Sequence, residues 1–166
     1  MRTSDISSES LKALLDHVAQ AQAIGATLGL PNILQPGLLK ELVIANHLGH
    51  SVISTKHDAD ACDPADLNRL FEYLSCMQGG SFQMDRMFSR PPEKRERSLE
   101  RLRRNAFIYC AIFDKSAPLT LLELYEVDVD VAVAERQLDA SSNDISHLAF
   151  GRKWARTNGR QVLPRG

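Results

Sequence analysis

The stretch "DACDPADLNRLFEYLSC", residues 60–76, decides the fold. The β-branched run "HSVIST" (50–55) precedes it and the run "LFEYLSC" (70–76) closes it, with "PADLNR" (64–69) reading as the turn between two strands. Acids interrupt this pattern: Asp60 and Asp63 end the first half, and Glu72 sits inside the second strand. Asp and Glu are poor strand formers, and an unpaired buried carboxylate is costly. Because side chains alternate across a strand, adjacent strands would let Asp60 and Glu72 face one spot. Two explanations remain open on the residues alone. The acids cap turns or pair with Arg69 or Arg86; or the two carboxylates offer Mg²⁺ hard oxygen ligands, with water and a substrate phosphate completing the shell.

Outward from this hairpin, the chain alternates helical and extended signals. Residues 7–26 open with "SSESLKALLDHV", small polar residues suited to N-capping followed by apolar positions at helical spacing. Gly29 and Pro31 end that helix, and "LLKELVIANHLG" reads as a second helix closed by Gly49. Gly79–Gly80 begins a loop carrying "SFQMDRMF", and Pro91–Pro92 starts a helix to about Arg104. "NAFIYCAIFD" and "LTLLELYEVD" are strands joined through "KSAP", and "VAVAERQLDAS" is a short helix. The last segment, "ISHLAFGRKWARTNGRQVL", reads as a strand, a basic amphipathic stretch and a final strand, with Trp154 packing on the sheet. The order implies an α/β fold with a mixed sheet flanked by helices.

With 166 residues, the chain is expected to form one domain, its helical part at 1–49 and its core at 50–166. The hydrophobic share of 43% and charged share of 25% are ordinary for a soluble globular protein. No apolar run approaches the roughly 20 residues of a membrane span. The start lacks a secretory core, and Cys62, Cys76 and Cys110 lack CxxC spacing, so reduced thiols in the cytoplasm are expected. The net charge of −1 gives no global pull on nucleic acid. Eight Arg or Lys nonetheless lie between Arg86 and Arg104, and "FGRKWARTNGRQVLPRG" adds a basic tail. These form either a salt-bridged solvated helix or a phosphate-facing surface.

Together these pieces resemble the PD-(D/E)xK nucleases, specifically the small PvuII-type restriction endonucleases. The resemblance runs through the helical opening (14–49), "DACD" and "FEYLS" as the two acid motifs, "FIYCAIFD" with "TLLELYEV" as paired core strands, and the closing segment. It implies a restriction-endonuclease-like fold and Mg²⁺-dependent hydrolysis of double-stranded DNA at a short site, by a homodimer joined through the N-terminal helices. By this resemblance Asp60 and Glu72 are the catalytic, metal-holding acids. The family pattern then places lysine two residues after the second acid, where this chain has Leu74. Leucine can neither orient an attacking water nor stabilise negative charge. Lys56 on the preceding strand, or Gln83 or Arg86 in the Gly79–Gly80 loop, could take over that role. Otherwise the scaffold binds DNA or forms complexes without cutting. RNA as the phosphodiester substrate is a third reading.

Further candidates fill out the picture. Glu41 could approach the metal from an apolar helix, and Asp58 shares a strand face with Asp60. His57 points to the opposite face, and Gly49 breaks the helix that a His47–His50 metal pair would need. For base reading, Gln78, Gln83, Arg86, Arg152, Lys153 and Arg156 carry suitable groups.

Overall fold

The computed structural model describes residues 7–54, 59–84, 87–88, 90–138, 145–146 and 149–164. Lys56, His57, Asp58 and Arg86 lie outside these described residues. The chain divides into two compact units, Met1–Leu39 and Lys40–Gly166.

The first unit is built on α1 (Ser8–Thr27). Ser7 caps it as its composition suggests, the hydroxyl oxygen accepting the Ser10 N–H at 3.1 Å. The Gln22 side chain then fastens the following loop, donating to the Pro31 carbonyl and accepting the Ile33 N–H. Leu11, Leu14 and Leu15 remain exposed along the helix.

The second unit contains most of α2 (Leu38–Leu48) and a six-stranded mixed sheet in the order β1-β2-β3-β6-β7-β10. The boundary therefore falls inside the expected helical part at 1–49, because Ile44 and Ala45 of α2 enter the core against the sheet. Gly49 ends α2 at φ +73°, a left-handed conformation costly for residues with a Cβ, and turns the chain into β1. β1 (Ser51–Val52), β2 (Ala61–Asp63) and β3 (Asp66–Met77) form an antiparallel meander. The expected strand at 50–55 is thus only two residues long, and "ACD" is a strand of its own. The turn contracts to Pro64–Ala65, since Asp66–Arg69 already belong to β3. Asp63 Oδ1 accepts the Ala65 N–H at 2.9 Å and closes that turn.

β6 (Asn105–Phe113) lies parallel to β3, and a parallel pair needs a crossover. That crossover carries β4 (Phe82–Gln83), β5 (Met87–Phe88) and α3 (Pro92–Arg103). β7 (Leu121–Asp128) returns antiparallel to β6, followed by α4 (Val129–Leu138), β8 (Ile145–Ser146) and β9 (Ala149–Phe150). α5 (Arg152–Asn158) and edge strand β10 (Arg160–Leu163) complete the described elements. The short strands pair as β4–β9 and β5–β8.

β6 is central and buried on both faces, which explains its continuous apolar run. On one face Phe71, Tyr73, Tyr109, Ala111, Phe113 and Leu124 meet α2. On the other, Leu74, Cys76, Ile108, Cys110, Ile112 and Val127 meet α3, α4 and α5. Trp154 packs against this second cluster, stacked on Phe150 with ring centroids 4.2 Å apart. Cys62, Cys76 and Cys110 are free and buried. Among the described residues, no helix is long and apolar enough to cross a membrane.

Candidate acid site on the β2–β3 ladder

Asp60 stands one residue before β2, beside the middle of β3. Its N–H donates to the Phe71 carbonyl at 3.0 Å, while the next residue, Ala61, is the register partner of Phe71. The register shift of this ladder lies further on, between Cys62 and Asp63. The Asp60 carboxylate turns into the ladder, where Oδ2 accepts the Tyr73 N–H at 2.7 Å. Its carbonyl accepts the Ile53 N–H at 2.9 Å, so the segment after β1 is tied to the same point. An acid is tolerated here because its oxygen replaces a backbone acceptor and makes a charge-assisted bond.

Glu72 lies between Phe71 and Tyr73, whose rings face α2. Alternation places it on the other face, in the row of Leu74 and Cys76, with Ile108 as its partner on β6. Both acids are half-buried. Asp60, just before β2, thus bonds the N–H of the residue that follows Glu72 on β3. Among the described residues, no group of three or more His, Cys, Asp or Glu is arranged to hold a metal. Asp63 has a different task, closing its turn and lying 3.7 Å from Arg69.

Leu74 is 4% exposed and belongs to the apolar cluster with Cys76, Cys110 and Tyr125. The position at which the resemblance implies lysine is therefore core. Gln83 is exposed on β4 between Phe82 and Met84, both buried in that same cluster. Alternation turns it away from Leu74.

Tyr73 connects the acid site to a second polar group that the sequence did not suggest. Its hydroxyl lies 2.8 Å from Nδ1 of His50, whose ring stacks on Phe71 with centroids 4.0 Å apart. Burial holds the His50 imidazole below its usual pKa, and burial, then Tyr109 and Asp60, pushes the Tyr73 phenol far above its own. A protonated phenol donating to a neutral imidazole satisfies both. Beside them Tyr109 donates to Glu126 at 2.8 Å, and Arg160 reaches the other Glu126 oxygen at 2.8 Å.

Of the expected DNA-facing residues, Gln78 and Lys153 are exposed. Arg152 and Arg156 both converge on Glu123 of β7. Arg156 meets it through Nε at 3.0 Å and Nη2 at 2.6 Å, and Arg152 through Nη2 at 3.5 Å. Tyr125 adds a hydroxyl at 2.6 Å. The Arg156 hydrogen bond is the main reason the Glu123 carboxyl is held below the usual range. Both arginines are thus paired with an acid of β7, Arg156 while remaining half-exposed. The four-residue spacing of Arg152 and Arg156 is the sequence signal for this convergence. No protein-family model matches the chain, and no curated protein matches it.

Proposed function

We propose that the chain is a Mg²⁺-dependent endonuclease of double-stranded DNA on a PD-(D/E)xK, restriction-endonuclease-like scaffold. The observation that carries this reading is the Asp60 carboxylate anchored to the Tyr73 N–H, next to Glu72 on the adjoining strand. The mixed sheet and the antiparallel β6–β7 pair support it too.

The donor set fits the ion. Two half-buried carboxylates on a rigid ladder are hard ligands, and Mg²⁺ keeps water and substrate phosphate for its remaining positions. When bound, the ion supplies an activated water and stabilises charge on the phosphate. The chain's own contribution is orientation. Tyr73 holds one Asp60 oxygen, and β3 between β2 and β6 fixes Glu72. A homodimer would match a two-fold symmetric site, and the exposed Leu11, Leu14 and Leu15 provide apolar surface for a second copy.

Leu74 favours a second reading, a catalytically silent DNA-binding or complex-forming protein on the same scaffold, because its burial removes the usual lysine function. Incubating purified protein with mixed-sequence plasmid and Mg²⁺ or Mn²⁺ separates the two. Discrete fragments support the endonuclease; a retarded but uncut plasmid supports the silent scaffold.

A further inference from the structure

We propose that the exposed flank of α3 formed by Lys94, Arg97, Arg101 and Arg104 is the docking surface for the phosphate backbone of duplex DNA. The inference rests on the reading of the chain as a DNA-acting protein and names the surface that holds the substrate.

Packing settles which way α3 faces. Leu99 and Leu102 are buried in the core, and the Ser98 hydroxyl accepts the Phe88 N–H at 3.1 Å. At 3.6 residues per turn, Lys94, Arg97, Arg101 and Arg104 then line one flank of the helix, while Glu93, Glu96 and Glu100 line the next. Arg103 falls with the acids and pairs with Glu96 at 2.6 Å. All four residues of the basic flank are exposed. Among the described residues, Arg97, Arg101 and Arg104 enter no ion pair, and Lys94 rests over the Phe88 ring 5.2 Å from its centroid.

The other basic segment is differently employed. Arg152 and Arg156 are committed to Glu123, and Arg160 to Glu126. Cationic charge without an acidic partner thus gathers on α3. Ten residues of helix rise about 15 Å, and one DNA strand carries a phosphate every ~3.4 Å of duplex axis, so the flank runs past about four phosphates. Its placement suits a substrate path. Arg104 immediately precedes Asn105, the register partner of Leu70, two residues before Glu72. A backbone lying along α3 is led towards the acid pair.

The test is the salt dependence of duplex affinity, measured without divalent metal, for wild type and the triple variant Arg97→Gln/Arg101→Gln/Arg104→Gln. Each phosphate contact contributes about 0.9 to the slope of log K against log salt, so the triple variant should lose about 2.7. Glu93→Gln/Glu100→Gln, on the neighbouring flank, should not lower the slope. Far-UV circular dichroism checks that each variant is folded. An unchanged slope in the triple variant, or no duplex binding by wild type, overturns the proposal. Cleavage of plasmid with an unchanged slope would leave the nuclease reading standing and remove α3 as its docking surface. A reduced slope without cleavage would do the reverse.

Discussion

Replacing Leu74 by lysine introduces the residue that the nuclease resemblance implies at a position that is 4% exposed, and its cost reports whether position 74 communicates with the acids. Loss of the buried leucine costs about 1.5–3 kcal/mol, part of which the lysine stem recovers. The ammonium decides the remainder. Position 74 is two residues from Glu72 on the same strand face, about 6.6 Å at 3.3 Å per residue, within reach of a lysine side chain. At ~4 Å and an effective dielectric of ~20 the attraction is about 4 kcal/mol, largely offset by desolvating the pair. The net deficit should then be about 2 kcal/mol. An ammonium trapped among Cys76, Cys110 and Tyr125 would instead be pushed neutral, adding about 4–5 kcal/mol at neutral pH. Urea unfolding at a series of pH values distinguishes the two. A lysine paired with Glu72 has a raised pKa, so its contribution persists below about pH 10.4 and is lost above it. A trapped lysine has a lowered pKa, so the deficit shrinks as pH rises towards about 10.4. We expect the small deficit, flat through neutral pH, with a gain of Mg²⁺-dependent nicking. A deficit of ~5 kcal/mol or more that shrinks with rising pH would refute the proximity of position 74 to the acids.

Gly159 joins α5 to β10 at φ −106°, an ordinary conformation, but a Cβ there would lie 2.8 Å from the Ala155 carbonyl oxygen and 3.0 Å from Tyr125 Cβ. Gly159→Ala should therefore cost about 1–3 kcal/mol in a thermal melt, and an unchanged melting temperature would show that this close packing is absent. Glu123→Gln should cost about 1–2 kcal/mol at neutral pH, a modest figure because its partner Arg156 is half-exposed. Since the folded-state pKa of Glu123 is lowered, its contribution is present above the unfolded value and lost as pH falls through the folded one. The variant should show a shallower loss of stability on acidification, and identical acid limbs would contradict that role.

The central architecture was legible because its strongest signals are local or purely apolar. Ser7 caps α1, Pro92 opens α3, and the continuous apolar run of β6 marks a strand covered on both faces. β2 was missed because "DACD" is rich in acids that disfavour strands, Asp63 among them, and Asp66 read as part of the turn. Each does bond a backbone N–H two residues on, Ala65 and Asn68, but the ladder continues through Asp66 regardless. The pairings β4–β9 and β5–β8 join segments distant in sequence and only two residues long, too short for a periodic signal. Within the site, alternation was enough to align Glu72 with Leu74. The capture of the Tyr73 N–H by Asp60 joins residues thirteen apart across the ladder, a contact with no compositional mark. The spacing of Arg152 and Arg156 was visible, but their partner Glu123 is named only by the fold.

Cleavage of mixed-sequence plasmid in Mg²⁺ by wild type, Asp60→Ala and Glu72→Gln, with duplex retention measured in parallel, tests the acid pair most directly. On the proposed reading, removing either acid takes away metal activation of water but leaves phosphate contacts elsewhere. The account predicts discrete fragments from wild type, none from either variant, and duplex retention by all three. Cutting by Asp60→Ala or Glu72→Gln at the wild-type rate would contradict it.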